Sequence, residues 1–284
     1  GVRQDGTLQA AQQLTLDSNG LLTNRGKISA PELILKTDGG IDNAGTITAQ
    51  RSAAIATAGT LTNTGTIASQ QTLSISAQAL TNTSTNPSTA GGLIDGQTVI
   101  LTSPSIENLG DARLYGDHLV LQADSLINAG ETVNNVAHAP VIAARNAMTL
   151  GVGTLENRDG ALIVSGGDLS LGRTVQSTVD PITGQTRYTT TGFATRVHND
   201  SATIDVLGDV FIQAITLANR NTHLQMEQVP QAPFSVQRIQ PAGSNAIYLG
   251  SQCRHPWAAL GFSLSLVCSA EGRQESFEDY TEYN

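Results

Sequence analysis

The chain has 284 residues, of which 39% are hydrophobic, 4% aromatic and only 14% charged, and its formal net charge is −9. An acidic chain lacks the basic surface that phosphate contacts need, so no nucleic-acid partner is expected. The charge is too sparse for a disordered acidic tail, and no run of ~18 apolar residues is present to span a membrane as a helix.

The opening residues Gly1-Val2-Arg3-Gln4 carry no basic segment ahead of an apolar one. They read as the start of an internal piece of a longer chain and not as a signal peptide. A repeat is visible almost at once. Asn recurs as Asn24, Asn43, Asn63, Asn82, Asn108, Asn128, Asn157, Asn199 and Asn219, at spacings of 19, 20, 19, 26, 20, 29, 42 and 20. Five of these open an Asn-x-Gly triplet: Asn24, Asn43, Asn63, Asn108 and Asn128. Two residues before each Asn stands an apolar side chain, from Leu22, Ile41 and Leu61 through Leu126 and Leu155 to Leu217. Further ahead lie apolar-x-apolar pairs such as Leu33/Leu35, Leu73/Ile75 and Met148/Leu150, and behind the Asn come Ile28, Ile47 or Ile67. Inside each run the period is 2, the strand period, and no run has helical spacing.

Three short strands in ~20 residues, joined by Gly and Asn corners, describe one coil of a parallel β-helix, an all-β solenoid in which coils stack on one another. Nine Asn-marked coils at strand spacing make a rod on the order of 45 Å long. The Asn column is read as structural. Asn tolerates left-handed backbone at a corner and can bond neighbouring main chain. Stacked copies can also form an amide ladder.

Three insertions interrupt the repeat. Thr83-Ser84-Thr85-Asn86-Pro87-Ser88-Thr89-Ala90 and the segment from Val133 to Pro140 both follow the Asn corner and read as exposed loops on one edge of the rod. The third, residues 172–192, reads as a β-hairpin: two arms rich in Thr and Val flank the turn Asp180-Pro181-Ile182-Thr183-Gly184. Tyr188 is its single aromatic. The division is therefore a rod over 1–224 with this hairpin inserted, followed by a divergent segment over 225–284.

That segment holds seven of the eleven aromatics and both cysteines. Two readings stay open for it. It covers the open end of the solenoid, as such ends require, or it meets a partner. Trp257 and Tyr248, supported by Arg254 and Phe262, are the side chains a partner would touch, with Tyr188 on the hairpin as a further candidate; Trp, Tyr and Arg join large buried area to a polar handle.

Chemistry for catalysis is not evident. Acidic residues are spread over the coils; Asp205 and Asp209 fall in one coil, with no matching acidic pair expected in its neighbours, so the converging carboxylates of a glycan hydrolase are not foreseen. Cys253, Cys268 and His255 do not make a four-ligand metal spacing. His118, His138, His198 and His223 are isolated and read as surface or corner residues. The expectation is a protein that is not an enzyme and that uses neither metal nor cofactor, with a β-helical polysaccharide-active enzyme as the remaining alternative.

The recurring unit, seen in residues 33–49 as Leu33-x-Leu35 followed by Ile41-x-Asn43-x-Gly45-x-Ile47-x-Ala49, resembles the repeats of filamentous haemagglutinins, the large exoproteins of bacterial two-partner secretion, which also form the stalks of contact-dependent growth inhibition effectors. The resemblance runs over roughly residues 6–224. It implies a right-handed parallel β-helix, export past an outer-membrane transporter of a Gram-negative cell, and display at the bacterial surface as part of an adhesin or toxin-delivery stalk. It also implies a receptor, protein or glycan, on an outer membrane or host cell, although a pure spacer is compatible with the same repeats. In an exported chain Cys253 and Cys268 are at a separation suited to a disulfide.

Overall fold

The structure, a computed structural model, describes residues 1–84, 91–224, 238–241, 247–254, 266–270, 273–277 and 280–283. The chain divides into two compact units, Gly1–Leu224 and Gln225–Asn284.

The first unit is a parallel β-helix. A coil begins with a short strand that ends on the repeating Asn, such as Leu22–Asn24, and continues into a long strand such as Lys27–Thr37. The long strand shifts register between Ala30 and Glu32, and this bend divides it into a second and a third wall. In later coils, Arg113–Ala129 and Val141–Arg158 each run from the second wall through the third into the next Asn strand.

Stacking is parallel and in register within each wall. On the first wall Leu22, Ile41, Leu61, Leu80, Ile106, Leu126, Leu155, Val197 and Leu217 form one column. On the second, Ile28, Ile47, Ile67, Ile94, Leu114, Ile142 and Ile163 stack. On the third, the pairs Leu33/Leu35, Leu73/Ile75, Leu119/Leu121 and Leu169/Leu171 belong to two more columns that meet the others in one continuous core. Because strand side chains alternate, a period of 2 on three walls points three apolar stripes inward. Each fully buried Leu or Ile contributes roughly 1.5–3 kcal/mol before chain entropy is subtracted.

The Asn column forms a polarised ladder. Each Nδ2 donates to Oδ1 of the next Asn, from Asn24→Asn43 at 2.7 Å to Asn199→Asn219 at 2.9 Å, eight bonds in all. The same Nδ2 atoms also reach main-chain carbonyls, for example those of Thr46, Thr66, Arg113 and Leu162. A flipped amide would set oxygen against oxygen there, so the carbonyls fix the direction of the whole chain of dipoles.

Two local expectations are revised, and the role of one glycine becomes specific. None of the ladder residues has left-handed backbone; positive φ falls instead at Gly110, Asp159, Gly160 and Ser201, in the longer corners that follow Asn108, Asn157 and Asn199. The Gly of the Asn-x-Gly triplet serves close stacking: a Cβ on Gly45 would lie 2.2 Å from the carbonyl oxygen of Gly26, and one on Gly65 would lie 2.1 Å from that of Gly45. The segment from Val133 to Pro140 is not a plain loop. Glu131–Val133 and Val136–His138 pair as a small hairpin whose turn, Asn134-Asn135, has φ of 53° and 62°, the two left-handed positions of a type I′ turn. Of the first insertion, residues 85–90 lie outside the described residues.

The second unit contains two small antiparallel sheets. Arg238–Pro241 pairs with Tyr248–Leu249 and Tyr280–Tyr283, and Leu266–Ala270 pairs with Cys253–Arg254 and Arg273–Phe277. Ile239, Tyr248 and Cys268 form its small buried cluster. Cys253 and Cys268 face one another across the second sheet and are joined as a disulfide.

Candidate functional site

The inserted hairpin packs on the side of the rod. Its arms, Thr174–Val179 and Thr186–Thr191, pair antiparallel. At the turn, Oδ1 of Asp180 accepts the N–H groups of Ile182 at 2.8 Å and Thr183 at 2.9 Å, and Gly184 supplies φ of +69°. The main-chain bonds from Thr183 and then Ile182 hold the Asp180 carboxyl below its usual range, because both favour the charged form.

The hairpin base is fastened to the third wall. Gln122 on the rod uses both ends of its amide: Oε1 accepts from Val175 N–H at 2.7 Å, and Nε2 donates to the carbonyls of Gly151 at 3.0 Å and Arg173 at 3.3 Å. Gly151 is required by this approach, since a Cβ there would lie 2.7 Å from the Val175 nitrogen. Ser170 and Thr190 share a hydrogen bond of 2.8 Å, and Arg173 pairs with Asp124 at 2.7 Å.

Between the outer half of the hairpin and the wall lies a groove of about 860 Å³. Its floor is built by the coil register. His118, Ala147 and Asp168 stack in one outward column. The Leu169–Val210 pairing sets Asp209 next to Asp168, and the Asp209 N–H donates to Asp168 Oδ1 at 2.9 Å. The parallel column holds Val120, Thr149, Ser170 and Phe211, the last 51% exposed. Asp180, Arg187 and half-buried Tyr188 line the hairpin side. One carboxylate of the adjacent coil, Asp168, thus stands beside Asp209, while Asp205 stands opposite Val164, so no second acidic pair stacks on the first. Asp168 and Asp209 lie 41 residues apart, and excising the hairpin from the sequence brings them into register.

Two other polar clusters are structural. Of the two readings for His138, surface or corner, the second holds, with the ring buried: its Nδ1 lies 2.5 Å from Asp111 Oδ2 and ties the small Asn134-Asn135 hairpin to the preceding corner. Near the last coil, Ser201, His223 and Asp159 have the residue types of a hydrolase triad. Ser201 Oγ, however, accepts the main-chain N–H groups of Thr222 at 2.8 Å and His223 at 3.1 Å, so it fixes a turn. Among the described residues no group of three or more His, Cys, Asp or Glu is placed to hold a metal ion.

The partner residues read from the sequence are dispersed. Tyr188 lines the groove. Tyr248 is 7% exposed and packs with Ile239 and Cys268 inside the second unit. Arg254 lies in the strand paired to Leu266–Ala270. Trp257 and Phe262 lie outside the described residues. No family model, no curated protein and no solved structure matches the chain.

Proposed function

We propose that the chain is a rod segment of a large exported bacterial surface filament, an adhesin or growth-inhibition stalk, and that it carries a recognition element as well as providing length. The observation that carries this reading is the 172–192 hairpin fastened to one wall of the solenoid. A spacer needs only the coils. Here Gln122, Gly151, Arg173 and Ser170 are all committed to holding a 20-residue-scale insertion in a fixed pose, and loops on one face of a solenoid are where such proteins bind.

Export and surface display rest on the resemblance of the repeat, and the Cys253–Cys268 disulfide supports an oxidising compartment. On this reading the partner is a protein or glycan receptor on another cell, and an outer-membrane transporter handles the chain during export. The test is binding of the full chain to candidate target cells, compared with a variant in which residues 178–187 are replaced by a two-residue turn. Loss of binding with an unchanged melting temperature supports recognition through the hairpin. Equal binding by both proteins rules the hairpin out, and no binding by either leaves the spacer.

A further inference from the structure

We infer that the groove between the hairpin and the third wall binds a neutral oligosaccharide, an assignment that rests on the recognition reading above and names its ligand. The volume of about 860 Å³ falls within the range of small-ligand sites, roughly 300–1,000 Å³. The chemistry of the lining narrows the class. A sugar offers an apolar C–H face and a rim of hydroxyl groups. Phe211 presents an exposed ring to the first. Asp209, immediately ahead of the strand Val210–Ile212 and exposed in the same lining, offers a carboxylate to the second. Asp168 lies one coil away and is held in place by the Asp209 N–H, so its free oxygen is presented without an ordering cost on binding. Arg187, on the hairpin side, adds donors to the lining.

Charge excludes the acidic glycans. Asp168, Asp180 and Asp209 outnumber Arg187 around the groove, so sulfated, phosphorylated or sialylated chains meet repulsion. The floor offers no edge for strand addition, since it presents the side-chain face of coils whose main chains already pair with one another; an extended polypeptide would have to pair with an edge of the two-stranded hairpin, and the peptide arm of the titration tests that.

The experiment is calorimetric titration of the full chain with neutral tetra- to hexasaccharides built from glucose, galactose, mannose or N-acetylglucosamine, alongside a sulfated heparin-type fragment and an unstructured peptide. The expected result is binding of at least one neutral oligosaccharide, weakened about tenfold or more by Phe211→Ala and by Asp209→Asn, with the melting temperature of both variants equal to that of the parent. Phe211 is exposed and Asp209 is at the surface, so neither change should threaten folding. Binding of only the sulfated fragment or the peptide overturns the assignment, as does full affinity in both variants or no binding of any neutral sugar. A parallel cell-binding assay separates the two levels: adhesion that survives Phe211→Ala and enzymatic removal of surface glycans sinks the glycan assignment and leaves recognition standing. Absence of adhesion to any cell sinks recognition itself.

Discussion

Gln4 stands opposite Asn24 in the register of the first two Asn strands, yet its amide does not join the ladder: Nε2 donates to the carbonyl of Lys27 at 3.2 Å. Asn24 Oδ1 is left buried without a hydrogen-bond partner. Every later ladder Asn accepts from the one before it. The extra methylene of Gln carries its amide past the point where an Asn amide would sit. A coil missed by the Asn count therefore precedes Asn24, and the amide chain stops short of it.

Replacing Gln4 by Asn should close that gap. The new Nδ2 would supply the missing donor, at a typical net value of ~0.5–1.5 kcal/mol. In a unit of this size that raises the melting temperature by about 2–4 °C per kcal/mol. A thermal melt followed by circular dichroism checks it, and a melting temperature at or below that of the parent rejects the account.

Removing an interior rung should cost more than removing the last one. Asn128→Ala leaves Asn157 Oδ1 without its donor and takes one acceptor from Asn108 Nδ2, which keeps the carbonyls of Val141 and Ala112; one stranded buried acceptor costs ~1–3 kcal/mol. Asn219 is exposed and accepts a single bond, so Asn219→Ala should cost below ~1 kcal/mol. Asn128→Asp should be worse than Asn128→Ala, because a carboxylate cannot donate to Asn157 and is buried with a charge. Denaturant melts that rank the three changes otherwise would show that the ladder contributes no more than its corner geometry.

The fold was legible because its signal is repeated. Leu61, Leu126 and Leu155 each occupy the same place relative to an Asn, and all three are fully buried in one column. The groove was harder to see. Phe211 is on the outward phase of a strand and Asp209 lies just ahead of it, where sequence pattern carries no constraint, and the hairpin separates Asp168 from Asp209 along the chain. The His138 contact was hidden for a related reason: nothing near it in sequence shows that Asp111 sits at the stacked corner one coil away. The Asn134-Asn135 pair, by contrast, was a readable hairpin turn.

Gln122→Ala should loosen the hairpin without loosening the rod. The change strands Val175 N–H and removes two donors to main-chain carbonyls, while the core columns stay intact. Limited proteolysis should then cut faster within the exposed segment 180–187, and the melting temperature of the coils should shift by less than ~1 kcal/mol equivalent. Unchanged cleavage would mean that the Arg173–Asp124 and Ser170–Thr190 contacts hold the hairpin alone.

The last coil should carry an acid-sensitive contribution. Arg158, Asp200 and Arg220 stack in register on the first wall. Arg220 grips Asp200 with two bonds, Nε to Oδ1 at 2.9 Å and Nη2 to Oδ2 at 2.8 Å. The hydrogen bonding from Arg220, followed by its charge and that of His198, holds the Asp200 carboxyl below its usual range against the opposing effect of desolvation. A carboxylate whose folded value is depressed binds protons more readily when unfolded, so stability falls as pH falls. The pair should therefore contribute fully above the ordinary Asp range, near pH 4, and lose its contribution as pH drops through the folded value. The Arg220 side chain is half exposed, which screens the pair and keeps the effect modest. Melting temperatures of the parent and of Arg220→Gln should differ by a constant amount between about pH 5 and 8 and converge below about pH 4. Added salt should narrow the gap at neutral pH. A gap that stays constant down to about pH 2, where Asp is protonated in both states, would show that Arg220 stabilises the coil by packing alone.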